Sequence, residues 1–213
     1  MEGRNAQTER TDGFAGVWWR YPPLAAALGA GVIALAGFAR YRSLRGFNRT
    51  YVEVVRAVPM LVMVLWVYYS LPVLLGIQFG IFVSGVIALA LSDSAFEAEI
   101  FRAGIQSVEK GQIEAAKSVG LTGWQTMRFI VLPQAIRRIL PPLGNDFVSM
   151  IKDSALVSVL GLRDITQIAK VSSGSSFRYL ETYLTAAVLY LTLTIVLSLV
   201  VKYIERRMKT AAR

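Results

Sequence analysis

The chain has 213 residues, 54% of them hydrophobic and only 17% charged, with a mean hydropathy of +0.49 and the apolar residues gathered in long runs. That is the composition of a membrane protein rather than a soluble domain. The absence of cysteine and histidine excludes a disulfide framework and a thiolate metal site, and removes the commonest acid–base catalyst and metal ligand.

The net charge is +9. Its basic residues flank apolar runs, as membrane topology requires, and no aromatic-plus-basic stripe points to nucleic acid.

Residues 1–21 read as a polar, charge-balanced extracytoplasmic tail without the basic start of a signal peptide. Leu24–Ala39 is the first apolar run, 16 residues without a charge. That is short against the roughly 20 a straight helix needs to span a bilayer. Pro22 and Pro23 can open such a helix but not lie inside it. Five arginines follow, at 40, 42, 45, 49 and 56, read as a basic cytoplasmic segment. A second run covers 58–77, with Trp66, Tyr68 and Tyr69 as packing or interface residues. A third helix begins near Ile81 and meets polar company at Asp93, Glu97 and Glu99. A fourth is expected over 135–153, kinked at Pro141 and Pro142. The serine run 172–176 reads as a plain loop. A last span covers 183–201, within a membrane domain of 22–203, and 204–213 forms a basic tail. No internal repeat is present.

This predicts an all-α, polytopic membrane protein of about five transmembrane helices. Sixteen of the 23 Lys and Arg fall in the segments assigned inside, so the N-terminus is expected outside and the C-terminus in the cytoplasm. Residues 109–133 then form a cytoplasmic loop. Within it, Glu114–Pro133 reads EAAKSVGLTGWQTMRFIVLP, two short helices about a glycine hinge. Gly120 supplies a left-handed stop, and Thr122 with Gln125 supplies a capping box. Trp124 and Phe129 are bulky groups expected to pack the hairpin into a stiff lever. Ala115 and Ala116 would admit a close backbone approach. A loop this long and ordered suits docking, although an amphipathic hairpin resting on the membrane would share its pattern.

The spacing of Glu114-Ala115-Ala116, Gly120 and Ile130-x-Leu132-Pro133 resembles the EAA loop of permease subunits of ATP-binding cassette importers. The resemblance extends through Tyr51–Pro59 (YVEVVRAVP), Phe96–Ile105 (FEAEIFRAGI) and Gly111-Gln112. Asn145 and Ile151–Leu156 (IKDSAL) are similar to the N…IKDTSL signature of the polar amino-acid importers, with Ser154 in place of threonine and Ala155 in place of serine. The second-span wording looks closest to glutamate/aspartate-type permeases. The start of the first span departs from the family pattern around Gly13–Trp18, Arg20, Pro22 and Pro23.

The resemblance implies a permease subunit of the bacterial inner membrane with no catalytic site and no bound cofactor, ATP being used by a partner ATPase. Its implied partners are that ATPase, an extracytoplasmic solute-binding protein, a second permease subunit and the bilayer. Glu114, Ala115, Ala116, Gly120, Leu121, Trp124, Phe129, Leu132 and Pro133 are the implied ATPase contacts. Asn145, Lys152, Asp153 and Ser154 are candidates for the substrate path, Lys152 alternatively pairing with an acid to hold the bundle together. A secondary carrier would show inverted repeats, which this chain lacks; a non-transporting scaffold would use the same hairpin to bind a partner.

Overall fold

A computed structural model describes residues 42–210, with side chains over 46–207. The tail 1–21 and the expected span 22–39, with its prolines, lie outside the described residues.

Every regular element is helical among the described residues. Helix α1 (Arg42–Ala57) turns at Pro59 into a rod made of α2 (Met60–Leu65), a π-helical turn (Trp66–Ser70) and α3 (Leu71–Leu75). The break between Gly46–Ala57 and Met60–Leu75 bends the path by 103°. A left-handed Gly76 ends α3. Helix α4 (Ile81–Gln106) returns as the central helix. A hairpin follows: α5 (Lys110–Ser118), α6 (Gly123–Thr126) and a second π-helical turn (Met127–Val131). Helix α7 (Leu132–Asp153) leads through a 3₁₀ segment (Ser154–Leu160) to α8 (Ile165–Ser176) and the long α9 (Tyr179–Thr210).

The two π-helical turns share a cause. Each precedes a proline at the second position of the next helix, Pro72 and Pro133. Proline has no N–H for the carbonyl four residues back, and its ring crowds that carbonyl, so one wider turn absorbs the mismatch. Helix α7 continues through Pro141 and Pro142.

The core forms where α1, the α2–α3 rod, α4, α7 and the 3₁₀ segment meet. Val55, Val64, Val67, Leu89, Met150 and Val157 are buried there together. Tyr51 shares a hydrogen bond of 3.0 Å with Ser94, and Arg56 lies 5.1 Å from the centre of the Phe96 ring, tying α1 to α4. Among the described residues α4 and Tyr179–Arg207 are long and apolar enough to cross a membrane, and the bent pair 46–75 makes a third if counted as one span. Helix α7 has the length but carries five charged residues.

The basic segment takes regular form from Arg42 as an amphipathic helix, with Val52 and Val55 buried and Arg49 and Arg56 exposed. One expectation is corrected. The serine run is the last turns of α8. Ser173 donates to the Lys170 carbonyl at 3.0 Å, and Ser175 and Ser176 to that of Ser172 at 3.0 and 2.7 Å. Hydroxyls bonded back to the preceding turn leave helical backbone intact. The stop comes at Phe177, with φ of 57°. Asp164 then caps α8, accepting from the Gln167 N–H at 2.7 Å, and accepts from the Tyr190 hydroxyl of α9 at 3.3 Å.

Candidate functional site: the 109–133 hairpin and the α7 face

The hairpin closes by two local devices. At the end of α5 the Gly120 N–H donates to the Lys117 carbonyl at 3.0 Å, and the Leu121 N–H to that of Ala116 at 3.1 Å. These paired bonds satisfy the helix's last carbonyls and require a left-handed residue. Gly120 supplies it, at φ +84°. A Cβ there would meet nothing within 4 Å, so the constraint is conformational rather than spatial.

Thr122 then starts α6. The Gln125 N–H donates to Thr122 Oγ1 at 3.3 Å, and the Thr122 N–H to Gln125 Oε1 at 2.8 Å. This is the reciprocal capping box. Thr126, buried, donates from its hydroxyl to the Thr122 carbonyl at 3.0 Å.

The side chains face differently from the expectation drawn from sequence. Trp124 and Phe129 do not pack the hairpin together; they are 71% and 61% exposed. Ala116, expected at a partner surface, is only 5% exposed. The second arm packs against α5, and in the single chain Ala116 is covered while Ala115 is exposed. Glu114, Ala115, Gly120, Leu132 and Pro133 are exposed and Leu121 is half-buried. Arg128 lies 5.8 Å from the centre of the Phe129 ring.

The hairpin is not tethered by its ends alone. Arg138 of α7 donates to the carbonyl of Ser107, the residue that ends α4. Gln134 of α7 donates to Gln112 of α5 and, at 3.0 Å, to the Ile130 carbonyl. Sequence inspection missed these contacts. Polar residues one turn apart (Gln134, Arg138) just past Pro133 were the available signal.

Of the substrate-path candidates, Asn145 and Lys152 are both exposed and two turns apart on α7, hence on one face. Asp153 and Ser154 are half-buried, and the Ser154 hydroxyl donates to the Ile151 carbonyl at 2.7 Å. The alternative role for Lys152, an ion pair across the bundle, is not formed: no acid lies within 4 Å among the described residues. The buried acidic side chains sit instead on α4. Asp93 and Glu97 are each 7% exposed, and one carboxylate oxygen of each has no hydrogen-bond partner among the described residues. Asp93 is within electrostatic reach of Glu97, Asp146 and Asp153. Among the described residues no group of His, Cys, Asp and Glu side chains is arranged to hold a metal ion.

Residues 27–210 match the family described as binding-protein-dependent transport system inner membrane component. The chain is 37% identical over 191 residues to the glutamine transport system permease protein GlnP of Escherichia coli K12, covering 84% of this chain and 87% of that one. It is 40% identical over 192 residues to the probable glutamine permease GlnM of Bacillus subtilis, covering 84% and 88%. Those names specify glutamine, where the second-span wording suggested glutamate or aspartate. Among solved structures, an amino acid ABC transporter crystallised with histidines aligns at TM-score 0.85 with 36% identity, over 95% of this chain and 97% of that one. The methionine transporter MetNI, in an inward-facing form, shares the fold at TM-score 0.76 and 17% identity, over 98% and 99%. The helical architecture, the EAA-type hairpin and these matches agree: the chain belongs to the family of inner-membrane permease components of binding-protein-dependent ABC transport systems.

Proposed function

We propose that the chain is the permease subunit of an ATP-driven importer of polar amino acids, and that it docks a cytoplasmic ATPase through the hairpin 109–133. The N-terminus lies outside and the C-terminus inside, as the Lys and Arg distribution favours. Two permease subunits enclose the path, fed by an extracytoplasmic solute-binding protein. ATP is hydrolysed by the partner, and closure of the ATPase dimer moves the hairpin and switches the path between outward and inward access.

One observation carries this reading: a self-capped hairpin that presents Trp124 and Phe129 to the outside. Aromatic groups held rigidly on an exposed projection are typical anchors for a partner's pocket. Trp124→Ala is expected to lose co-purification with the ATPase and ATP-dependent uptake into vesicles. An ATPase that stays bound to this variant excludes the hairpin as the docking site. Gly120→Val forces a β-branched residue into the left-handed region, at roughly 1–2 kcal/mol. It should distort the hairpin and separate hydrolysis from uptake.

The substrate path is assigned to the α7 face bearing Asn145 and Lys152, with Asp153 and Ser154 at its end. A lysine exposed and without an acid within 4 Å in the single chain suits a substrate carboxylate. Lys152→Met should weaken substrate affinity of the assembled transporter; unchanged affinity removes Lys152 from the path.

A further inference from the structure

Helices α4 and α7 flank the hairpin in sequence, one ending at Gln106 and the other starting at Leu132. A push on the hairpin can reach them in two ways. It can pivot at the π-helical turn Met127–Val131, or it can carry both helices with it. Three contacts bear on the choice. Ser107 ends α4, and the Arg138 guanidinium donates to its carbonyl. The last carbonyls of a helix have no partner within it and carry the negative end of its dipole, so a cation from the neighbouring helix binds there favourably. Gln134 donates both to Gln112 on α5 and to the Ile130 carbonyl inside the π-helical turn. It therefore braces the point where a pivot would lie. One residue further round α7, Ile139 is buried against Gly104 so closely that a Cβ at Gly104 would overlap it.

Gln134 and Arg138 are one turn apart, and so are Ala135 and Ile139. The first pair makes a polar ridge along α7 that grips the hairpin and the end of α4. The second makes an apolar ridge seated at Gly104.

We infer that Gln134, Arg138 and Ile139 are positioning residues that unite the hairpin, α4 and α7 into one rigid body, so that motion received at Trp124 and Phe129 is passed on without a hinge. This inference rests on the proposed docking of the ATPase at the hairpin. None of the three residues belongs to the assigned docking surface, so the two can fail separately.

The test uses the assembled transporter in proteoliposomes. The chain contains no cysteine, so a Gln112→Cys/Gln134→Cys pair can be joined by a short thiol cross-linker without background. If the parts form one rigid body, cross-linking should leave the uptake of this double variant unchanged or raise it relative to the same variant before cross-linking, because the link replaces the Gln112–Gln134 contact and holds together parts that move together. Loss of uptake on cross-linking, with hydrolysis continuing and restored by cleaving the linker, means the hairpin pivots and overturns the inference. In Gln134→Ala and Arg138→Ala the ATPase should still co-purify and hydrolyse ATP. Substrate moved per ATP should fall by about fivefold or more, the scale of a typical coupling energy, with partial recovery in Arg138→Lys. An unchanged ratio in both alanine variants also overturns the inference. Failure of the docking reading is seen elsewhere, in a Trp124→Ala variant that still binds the ATPase.

Discussion

Helices α4 and α9 both have the length and apolarity to cross a membrane, yet they are built for opposite surroundings. In α4, 56% of the apolar stretch is buried inside the chain; in α9 none is. The buried helix is the one carrying Ser84, Ser92, Asp93, Ser94 and Glu97 on its covered positions. The uncovered one is a run of Leu, Val, Ile, Tyr and Thr, whose threonines at 185, 192 and 194 return their hydroxyls to their own backbone at 2.7–2.8 Å. In water the polar face would point outward. In a bilayer the outside is hydrocarbon, and polar groups are cheaper against protein. Small residues do the fitting: Ala88, Ala95, Ala98 and Gly104 let neighbouring helices approach α4.

That contrast can be broken in order of expected effect, each case read as thermal stability of the purified protein. Leu89→Ala should cost the most, about 2 kcal/mol. That is the low end of the range for such core truncations, because lipid rather than water is the alternative environment. Gly104→Leu comes next, toward the low end of the roughly 1–3 kcal/mol that forced overpacking costs, and Ile139→Ala in the same chain should recover part of it. No recovery would mean that the two residues do not meet. Asp164→Ala should cost about 1 kcal/mol through loss of the α8 cap. Leu191→Ala, on the open face of α9, should change stability by less than about 0.5 kcal/mol. A larger loss there would show that α9 is covered by protein in the assembled state.

What could be read from the sequence was the part governed by neighbours in the chain. Gly120 and the Thr122–Gln125 pair follow rules that operate within four residues, and the structure forms the stop and the capping box at those positions. The direction of side chains was not legible. Trp124 and Phe129 look like packing residues by type, but two short arms do not make enough interior to cover them. Ala116 and Ala115 are the same residue in the same motif, and only the fold of the second arm decides which is covered. The serines of α8 failed for a different reason: composition marks a loop, while hydroxyl-to-carbonyl bonds within one turn permit a helix. The amphipathic α1 was hidden by its arginines, although Phe47, Tyr51, Val54, Val55 and Val58 recur at helical spacing. Lys152 shows the limit most plainly. An acid follows it directly in sequence, yet no acid lies within ion-pairing distance among the described residues.

The capping box of the hairpin has a consequence for assembly. Because its ends are capped internally, the projection is shaped in advance for the docking proposed above, and association of an ATPase there would not spend free energy on ordering it. The same preparedness leaves two aromatic rings uncovered on the single chain. On the proposed docking, a copy without its ATPase would keep that adhesive tip open, and assembly would conceal it.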